Sequence, residues 1–424
     1  MRVLLISANT ERINILPLPL GLNCVAVAAR NAGHEVKLVD LMTEKDDQSS
    51  LRNAVAVFNP EIIGISIRNI DDQNMENPRF LLEQVKKVVA ECRNISRVPI
   101  ILGGAGYSIF PESALSYLEA DIGIQGEGEI VFPLLLDRIE RGDDISGSPG
   151  VYLPGSGLQG KRIFEKNLDQ LPPSDPHILS LSATDKQEYW MPLQTRRGCP
   201  MGCSYCSTAT IEGRTIRKRS PEYIIKEIIS HVGVGFQRFY FVDNTFNIPD
   251  TYAKEICRKI IESRLALSWR CIIYPWRLDK ELIHLMAEAG CTEVSLGFES
   301  GCEQILRNMN KRYSCDDVRQ TSDMLRDAGI KRLGFLLLGG PGETRESVQE
   351  SLAFADSLNL DALKITIGIR IYPYTALAKI AEKEGLIIPE DNLLFPTFYI
   401  ASNLGDWIRD TVLFWMADRH HWMF

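Results

Sequence analysis

Residues 195–209 read TRRGCPMGCSYCSTA and set Cys199, Cys203 and Cys206 within eight positions, with glycines and Pro200 between them. Three thiolates are one short of the four that usually hold a 4Fe–4S cluster. A cluster held by three leaves one iron with a free coordination position, the logic by which a catalytic zinc keeps a site open. The glycines and Pro200 let a short loop fold with its amides toward the sulfurs. A structural zinc would need a fourth ligand, and no histidine lies in or next to the loop; unconnected core cysteines are the remaining alternative. The spacing, and the position of the loop after the strand-like MPLQTRR, favour the cluster.

Outward from this loop, strand and helix patterns alternate over residues 186–375. MPLQTRR, RFYFVDN, LSWRCII, EVSLGFES, RLGFLLLGG and ALKITIGI read as strands with amphipathic helices between them. Six such repeats predict a partial (β/α)6 TIM barrel with its chemistry at the carboxyl ends of the strands. Residues 1–145 carry five further β-then-α units, beginning RVLLISA and EVKLVDL. Their short apolar strands predict a parallel sheet covered by helices on both faces, a Rossmann-like domain of flavodoxin type. Ligands of such sheets sit beyond the carboxyl ends of the strands, where strand order reverses. The loops GGAGYS (Gly103, Gly104, Gly106) and QGEGE (Gly126, Glu127, Gly128) fall at those ends, although each alone is a weak signal. No GxGxxG is present, which argues against a standard dinucleotide site. Residues 146–185, rich in Gly, Pro, Ser and Asp, read as a linker with one hairpin, and 376–424 as a helical extension rich in Trp and Phe.

The chain has 424 residues, enough for two or three domains. Apolar residues make up 45% and charged residues 24%, the balance of a globular protein. A net charge of −8 disfavours non-specific nucleic-acid binding. The opening MRVLLISANTERINILP has no small-residue cleavage site and reads as a first strand rather than a signal peptide. No apolar run approaches the length of a membrane span. A cytoplasmic protein is expected, whose clustered thiols meet a reducing environment.

CxxxCxxC with an aromatic residue before its last cysteine, here Tyr205, resembles the radical S-adenosylmethionine (SAM) superfamily. The resemblance implies that SAM chelates the open iron and is cleaved by a cluster electron to methionine and a 5′-deoxyadenosyl radical. It extends along the whole second domain. FYFVDNTFNI falls where the family has a polar motif after its second strand, so Asp243 and Asn244 would face SAM. VSLGFESGCEQILRNMNK is similar to the fourth-strand motif, with Glu299 and Ser300 as contacts. FLLLGGPGET resembles the fifth-strand glycine motif, with Gly339, Gly340 and Pro341 near the adenine. Each is an ordinary turn or cap taken singly; in order behind CxxxCxxC they support one another.

The front domain, with LPLGLNCVAVAARNAGHEVKLVDL, ILGGAGYSIFPE and IQGEGEIVFPLLL, resembles the cobalamin-binding domain that precedes many radical SAM domains. Leu20, Ser66, Gly103, Gly104, Gly126, Glu127 and Gly128 are then the expected cobalamin contacts. The motif DxHxxG is missing, and the lone front-domain histidine, His34, stands at a helix end before the second strand, where a structural role is expected. No lower cobalt ligand is named; residues from Thr10 to Leu20 would shield that face.

The resemblance implies a cobalamin-dependent radical SAM methyltransferase: one SAM methylates cobalamin to methylcobalamin, and a second yields the radical that activates an unreactive substrate carbon. Cobalt, SAM and substrate must then meet in one cavity, expected at the facing carboxyl ends of the two sheets. Ring closure or rearrangement without methyl transfer is the alternative, and a non-catalytic cobalamin- or redox-responsive binding protein a distant one. A methylthiotransferase is disfavoured because the front domain offers only Cys24 and Cys92. Expected partners are a small-molecule or lipid-like substrate and a low-potential electron donor such as flavodoxin or ferredoxin, with no nucleic acid. Cys257, Cys271, Cys291, Cys302 and Cys315 read as buried residues, Cys271 being the one with a claim on the cavity. Trp407, Phe414, Trp415 and Trp422 of the tail are expected to dock a terminal helix in preference to lining a substrate pocket or touching a membrane.

Overall fold

The computed structural model describes residues 1–11, 18–43, 47–178 and 181–424. The chain divides into two compact units, Met1–Asp72 with Arg79–Lys186 and Thr210–Gly213, and Gln73–Pro78 with Gln187–Ala209 and Arg214–Phe424.

In the first unit β1 (Arg2–Ser7), β2 (Glu35–Asp40), β3 (Ile62–Ser66), β4 (Ile100–Gly103) and β5 (Ile122–Ile124) run parallel in the order β2-β1-β3-β4-β5. Strand order reverses between β1 and β3. Because crossovers are right-handed, that reversal sends helices to opposite faces of the sheet. Leu20–Asn31 packs against Gly128–Arg141, and Asp47–Phe58 against Leu82–Ile95. Covered on both sides, the strands are apolar runs rather than alternations; Val3, Leu4, Leu5 and Ile6 are all buried. The order is the flavodoxin-like one, whose switch point lies between β1 and β3. The segment read as a linker contributes more than a tether: β6 (Val151–Leu153) and β7 (Gly157–Leu158) form a hairpin that joins β5 antiparallel, Gly123 opposite Tyr152.

The strands of the second unit are β8 (Met191–Leu193), β9 (Arg196–Arg197), β10 (Arg217–Lys218), β11 (Arg238–Phe241), β12 (Ser268–Ile273), β13 (Cys291–Glu299), β14 (Lys331–Leu338), β15 (Ala362–Ile367), β16 (Ile369–Arg370), β17 (Phe398–Tyr399) and β18 (Trp422–Met423). β9 and β10 form a small antiparallel pair, as do β16 and β17. The main sheet is parallel, in the order β18-β15-β14-β13-β12-β11-β8. The six strands anticipated from sequence, β8 and β11 to β15, stand in chain order. Successive right-handed crossovers in one direction put every helix on the same face. Period two then sorts the side chains. Phe239, Trp269, Cys271, Val294 and Leu296 are buried on the helix side, and Tyr240, Arg270, Glu293 and Ser295 stand half-buried on the other. The Trp269 indole donates to the Ala289 carbonyl (2.7 Å) at the end of helix Lys280–Glu288, and the Phe239 ring meets His231 of helix Pro221–Gly233. Cys271 therefore belongs to the helix-side row beside Cys257 and Cys291, not to the half-exposed face, which corrects the expectation for this residue.

The tail is not helical throughout. After helices Ala376–Lys383 and Gly405–Met416 it ends in β18, which extends the sheet with Trp422 opposite Leu363. Trp422 is buried and stacks on Trp415, centroids 6.1 Å apart and planes 3° from parallel. Arg419 lies over both rings and pairs with Asp356. Trp415 and Trp422 thus dock the chain end, while Phe414 is 81% exposed. Among the described residues no helix is long and apolar enough to cross a membrane.

Candidate functional site

The cysteine loop is rooted by a buried carboxylate. Asp243, just past β11, accepts from the Thr195 amide (2.7 Å), the Thr195 hydroxyl (2.6 Å) and the Arg196 amide (3.1 Å). The Arg196 guanidinium stands 3.4 Å from the same carboxylate, donates to the Ile248 carbonyl (2.7 Å), and lies between the rings of Phe246 and Tyr252. Burial raises the Asp243 pKa and the Arg196 charge opposes that rise. With both oxygens occupied inside the protein, Asp243 anchors the loop instead of facing a ligand. Beyond it, Gly198 and Gly202 take positive φ (90° and 70°), which L side chains adopt at a cost.

The segment Met309–Arg312 cradles the same loop. The Met309 carbonyl accepts from the Ser204 amide (3.0 Å), Asn310 Nδ2 donates to the Gly202 carbonyl (2.7 Å), and the Arg312 guanidinium donates to the Pro200 carbonyl (3.1 Å). Cys199 and Cys203 are half-buried and Cys206 is exposed, and none of the three is in a disulfide. The Cys206 thiol donates to the Thr208 hydroxyl (3.2 Å), which donates on to Asn244 Oδ1 (3.4 Å), so Asn244 joins the loop through Thr208. Among the described residues no three His, Cys, Asp or Glu side chains converge on one point. Three cysteines on one loop are the donor set that leaves one iron of a 4Fe–4S cluster open.

Lys311 is the central residue that sequence reading missed. Its ammonium donates to the Tyr205 hydroxyl (3.0 Å) and to Glu299 Oε1 (3.2 Å), and its side chain is only 4% exposed. Burial works against the charge, but Glu299 first, then Tyr205, Tyr313 and Cys203, outweigh it and hold the lysine pKa well above its usual range. Burial raises the Cys203 thiol, and Lys311 pulls it back. A fixed cation thus lies beside the cysteine loop, where an anionic cluster or carboxylate gains most from it. Glu299 itself has φ of 63°, the left-handed region, at an irregularity in the β13–β14 register. A lone lysine at the end of the fourth-strand stretch carries no periodic signal, so only the fold reveals it.

The other sequence-derived residues divide in two. Ser300 turns inward: its hydroxyl meets that of Ser351 (2.9 Å) and accepts from the Cys302 amide (3.1 Å), fixing the turn after β13. Gly339 and Gly340 donate their amides to Glu343 Oε2, at 2.8 Å for Gly340, and the Pro341 carbonyl accepts from Asn308 (2.9 Å). Glu343 is buried, which pushes its carboxyl up to about 7 against the pull of the two amides, and its Oε1 has no partner. An orphaned buried oxygen beside a glycine turn fits a site that receives a polar ligand.

In the first unit, Ser66 and Gly103 close β3 and β4 at the carboxyl edge of the sheet, beside a pocket lined by Thr10, Ile67, Asn69 and Gln84 at the switch point. Gly104 has φ of 103°, and a Cβ there would sit 2.5 Å from the Ile67 carbonyl oxygen. Gly126, φ 101°, follows β5, and Gly128 lets its helix approach Val25. Glu127 is buried and accepts from the Glu165 amide (2.7 Å), so it holds the incoming chain from residue 165. Leu20 opens helix Leu20–Asn31, while residues 12–17 of the loop before it lie outside the described residues. His34 is buried with Nδ1 3.2 Å from the amino terminus and Nε2 3.6 Å from Asp137, at the opposite edge of the sheet from Ser66 and Gly103. Glycines without side chains at an open sheet edge fit a large planar ligand such as cobalamin.

Residues 193–355 match the family model of the radical SAM superfamily, and residues 9–136 that of the B12 binding domain. An uncharacterized methyltransferase of Pyrococcus horikoshii, PH0819, is 27% identical over 403 residues, covering 92% of this chain and 84% of the relative. The cytidylyl-2-hydroxyethylphosphonate methyltransferase of Streptomyces wedmorensis is 25% identical over 441 residues, covering 90% and 80%. Among solved structures, the radical SAM methyltransferase TsrM of Kitasatospora setae, with cobalamin and a 4Fe–4S cluster bound to it, shares the fold. Its TM-score is 0.88 at 20% identity, over 100% of this chain and 90% of that one. The chain is a B12-binding radical SAM enzyme, homologous to cobalamin-dependent radical SAM methyltransferases, with a 4Fe–4S cluster, SAM and cobalamin as its cofactors.

Proposed function

We propose that the enzyme transfers a methyl group to an unactivated carbon of its substrate. The observation that carries the reading is the loop of three cysteines, rooted on Asp243 and set beside the buried Lys311–Tyr205–Glu299 group. The methyltransferases among its relatives support it. Bound together, the three cofactors supply a hydrogen-abstracting 5′-deoxyadenosyl radical and a transferable methyl group. Cys199, Cys203 and Cys206 hold the cluster. Tyr205, Asn244, Glu299, Gly339, Gly340 and Pro341 would contact SAM, with Lys311 added as a fixed positive charge beside the cysteine loop. Asp243 and Ser300 act one layer back, holding the backbone from which the cysteines and Glu299 project. Leu20, Ser66, Gly103, Gly104, Gly126, Glu127 and Gly128 form the edge that receives cobalamin. A reductant is required, and a flavodoxin or ferredoxin fits that need.

The test is anaerobic reconstitution with iron, sulfide and hydroxocobalamin, followed by SAM and a strong reductant. The expected result is iron at the 4Fe–4S level, stoichiometric cobalt, and formation of both 5′-deoxyadenosine and S-adenosylhomocysteine. Deoxyadenosine without S-adenosylhomocysteine would instead favour radical chemistry without methyl transfer.

A further inference from the structure

The face of the second sheet turned away from its helices carries a row of polar side chains where a barrel interior usually has branched apolar ones. Across it, Tyr240 of β11 pairs in register with Arg270 of β12, and Arg270 with Glu293 of β13. The Arg270 guanidinium lies 4.2 Å from the ring centre of Trp190 and 5.3 Å from that of Tyr240. Its hydrogen bond to Glu293 Oε1 is a grazing one, 3.4 Å, and its Nε is buried without a partner. A guanidinium has five N–H donors in a fixed fork, and a committed carboxylate partner meets it at about 2.7–2.9 Å. Arg270 thus holds most of its donors in reserve, in an aromatic slot that fixes its plane. Arg238, 6.0 Å from the Trp190 ring, adds a second cation against the one carboxylate of Glu293.

Ile272, Leu333 and Phe335 continue the same half-buried face beyond Arg270, with Ser295 between the first two and Lys364 in register beside Phe335. Glu299 ends β13 six residues past Glu293, beyond the register irregularity, about 20 Å along the strand at ~3.3 Å per residue. The face therefore leads from a cationic, aromatic end through a mainly apolar middle, with Lys364 at its far side, toward the strand end that carries Glu299. We infer that Arg270, between Trp190 and Tyr240, binds the anionic end of an elongated, largely apolar substrate whose reacting carbon lies toward Glu299. The anion is a carboxylate or a phosphate, either of which matches the guanidinium fork. The inference rests on the proposed function for the position of the reacting carbon and on Arg270 alone for the charge.

The test is calorimetric titration of the reconstituted full chain with octanoate, octyl phosphate and neutral octanol. Both anions are expected to bind more tightly than octanol, and the tighter of the two names the group. Arg270→Gln is expected to weaken the anions at least ten-fold, with Arg270→Lys between it and wild type. Glu293→Gln is expected to tighten them several-fold, because it removes the competing carboxylate; that rise decides the matter even if the Arg270 variants fold poorly. Octanol binding as tightly as the anions, unchanged anion affinity in a folded Arg270→Gln, or weaker binding in Glu293→Gln would each overturn the inference. Failure of the proposed function shows separately, as wild-type protein that takes up no iron or cobalt or forms no deoxyadenosine.

Discussion

Two buried carboxyls of the second unit invite different experiments. Asp243 stands against Arg196 and takes two backbone amides and a hydroxyl, which oppose the rise that burial imposes on its carboxyl. Removing one partner of a buried ion pair leaves the other charge stranded, at a cost of about 3–5 kcal/mol. Asp243→Ala is expected to lower the melting temperature clearly, and to lower iron per chain at equal folded protein because the loop root has lost its acceptor. Normal iron content in folded Asp243→Ala would refute the anchoring role. Glu343 bears on pH dependence. Burial raises its folded pKa to about 7 from an ordinary 4.5, so the folded chain keeps a proton that the unfolded chain releases. The resulting stabilisation is complete below about pH 4.5 and is lost as pH rises through about 7. Over that window the difference amounts to about 3 kcal/mol. Glu343→Gln cannot titrate, so calorimetry at pH 5 and pH 8 should show wild type losing stability relative to the variant as pH rises. Parallel pH curves for the two proteins would mean that Glu343 is already ionised in the folded chain at the lower pH.

At the scale of elements, the parts that sequence made legible are those with a period or a fixed spacing. Six barrel strands and five front strands announced themselves as apolar runs between amphipathic helices, and CxxxCxxC located the loop. What escaped had neither. β18 is two residues long, too short for alternation to register, and its pairing with β15 spans some sixty residues of chain. Lys311 belongs to the site only because a turn after helix Glu303–Asn308 brings it under Tyr205. Asp243 and Ser300 were found by motif yet face inward, since a motif gives position in the chain and not direction of the side chain. The tail supplies its own test. Trp422 covers the edge of β15 and stacks on Trp415, so Trp422→Ala should cost about 3–5 kcal/mol by the usual penalty for an emptied aromatic site. Deleting residues 418–424 should go further, leaving the β15 edge unpaired and open to association. Thermal unfolding and light scattering would register both effects; a deletion as stable and monodisperse as the full chain would show that β18 contributes nothing to the sheet.

At the scale of the whole molecule, each unit closes its own core. The cluster around Val3, Leu5, Ile101, Phe132 and Leu135 draws only on the first unit, and the row beneath the helices of the second sheet only on the second. Domains with separate cores fold and bind largely on their own, so damage to one cofactor site should not empty the other. Replacing Cys199 and Cys206 together by serine removes two of three thiolates; iron should be lost while cobalt per chain stays near wild type. Gly104→Val acts on the other side. Its φ of 103° is hostile to a branched residue, and its Cβ would press within 2.5 Å of the Ile67 carbonyl oxygen, displacing the β3 loop that borders the pocket at the switch point. Cobalt should fall at least several-fold with iron unchanged. Iron and cobalt measured per folded chain on the two variants decide between independent and coupled loading. Loss of both metals in either variant would show that one cofactor completes the site of the other, and cobalt retained in Gly104→Val would move the cobalamin edge away from the loop after β4.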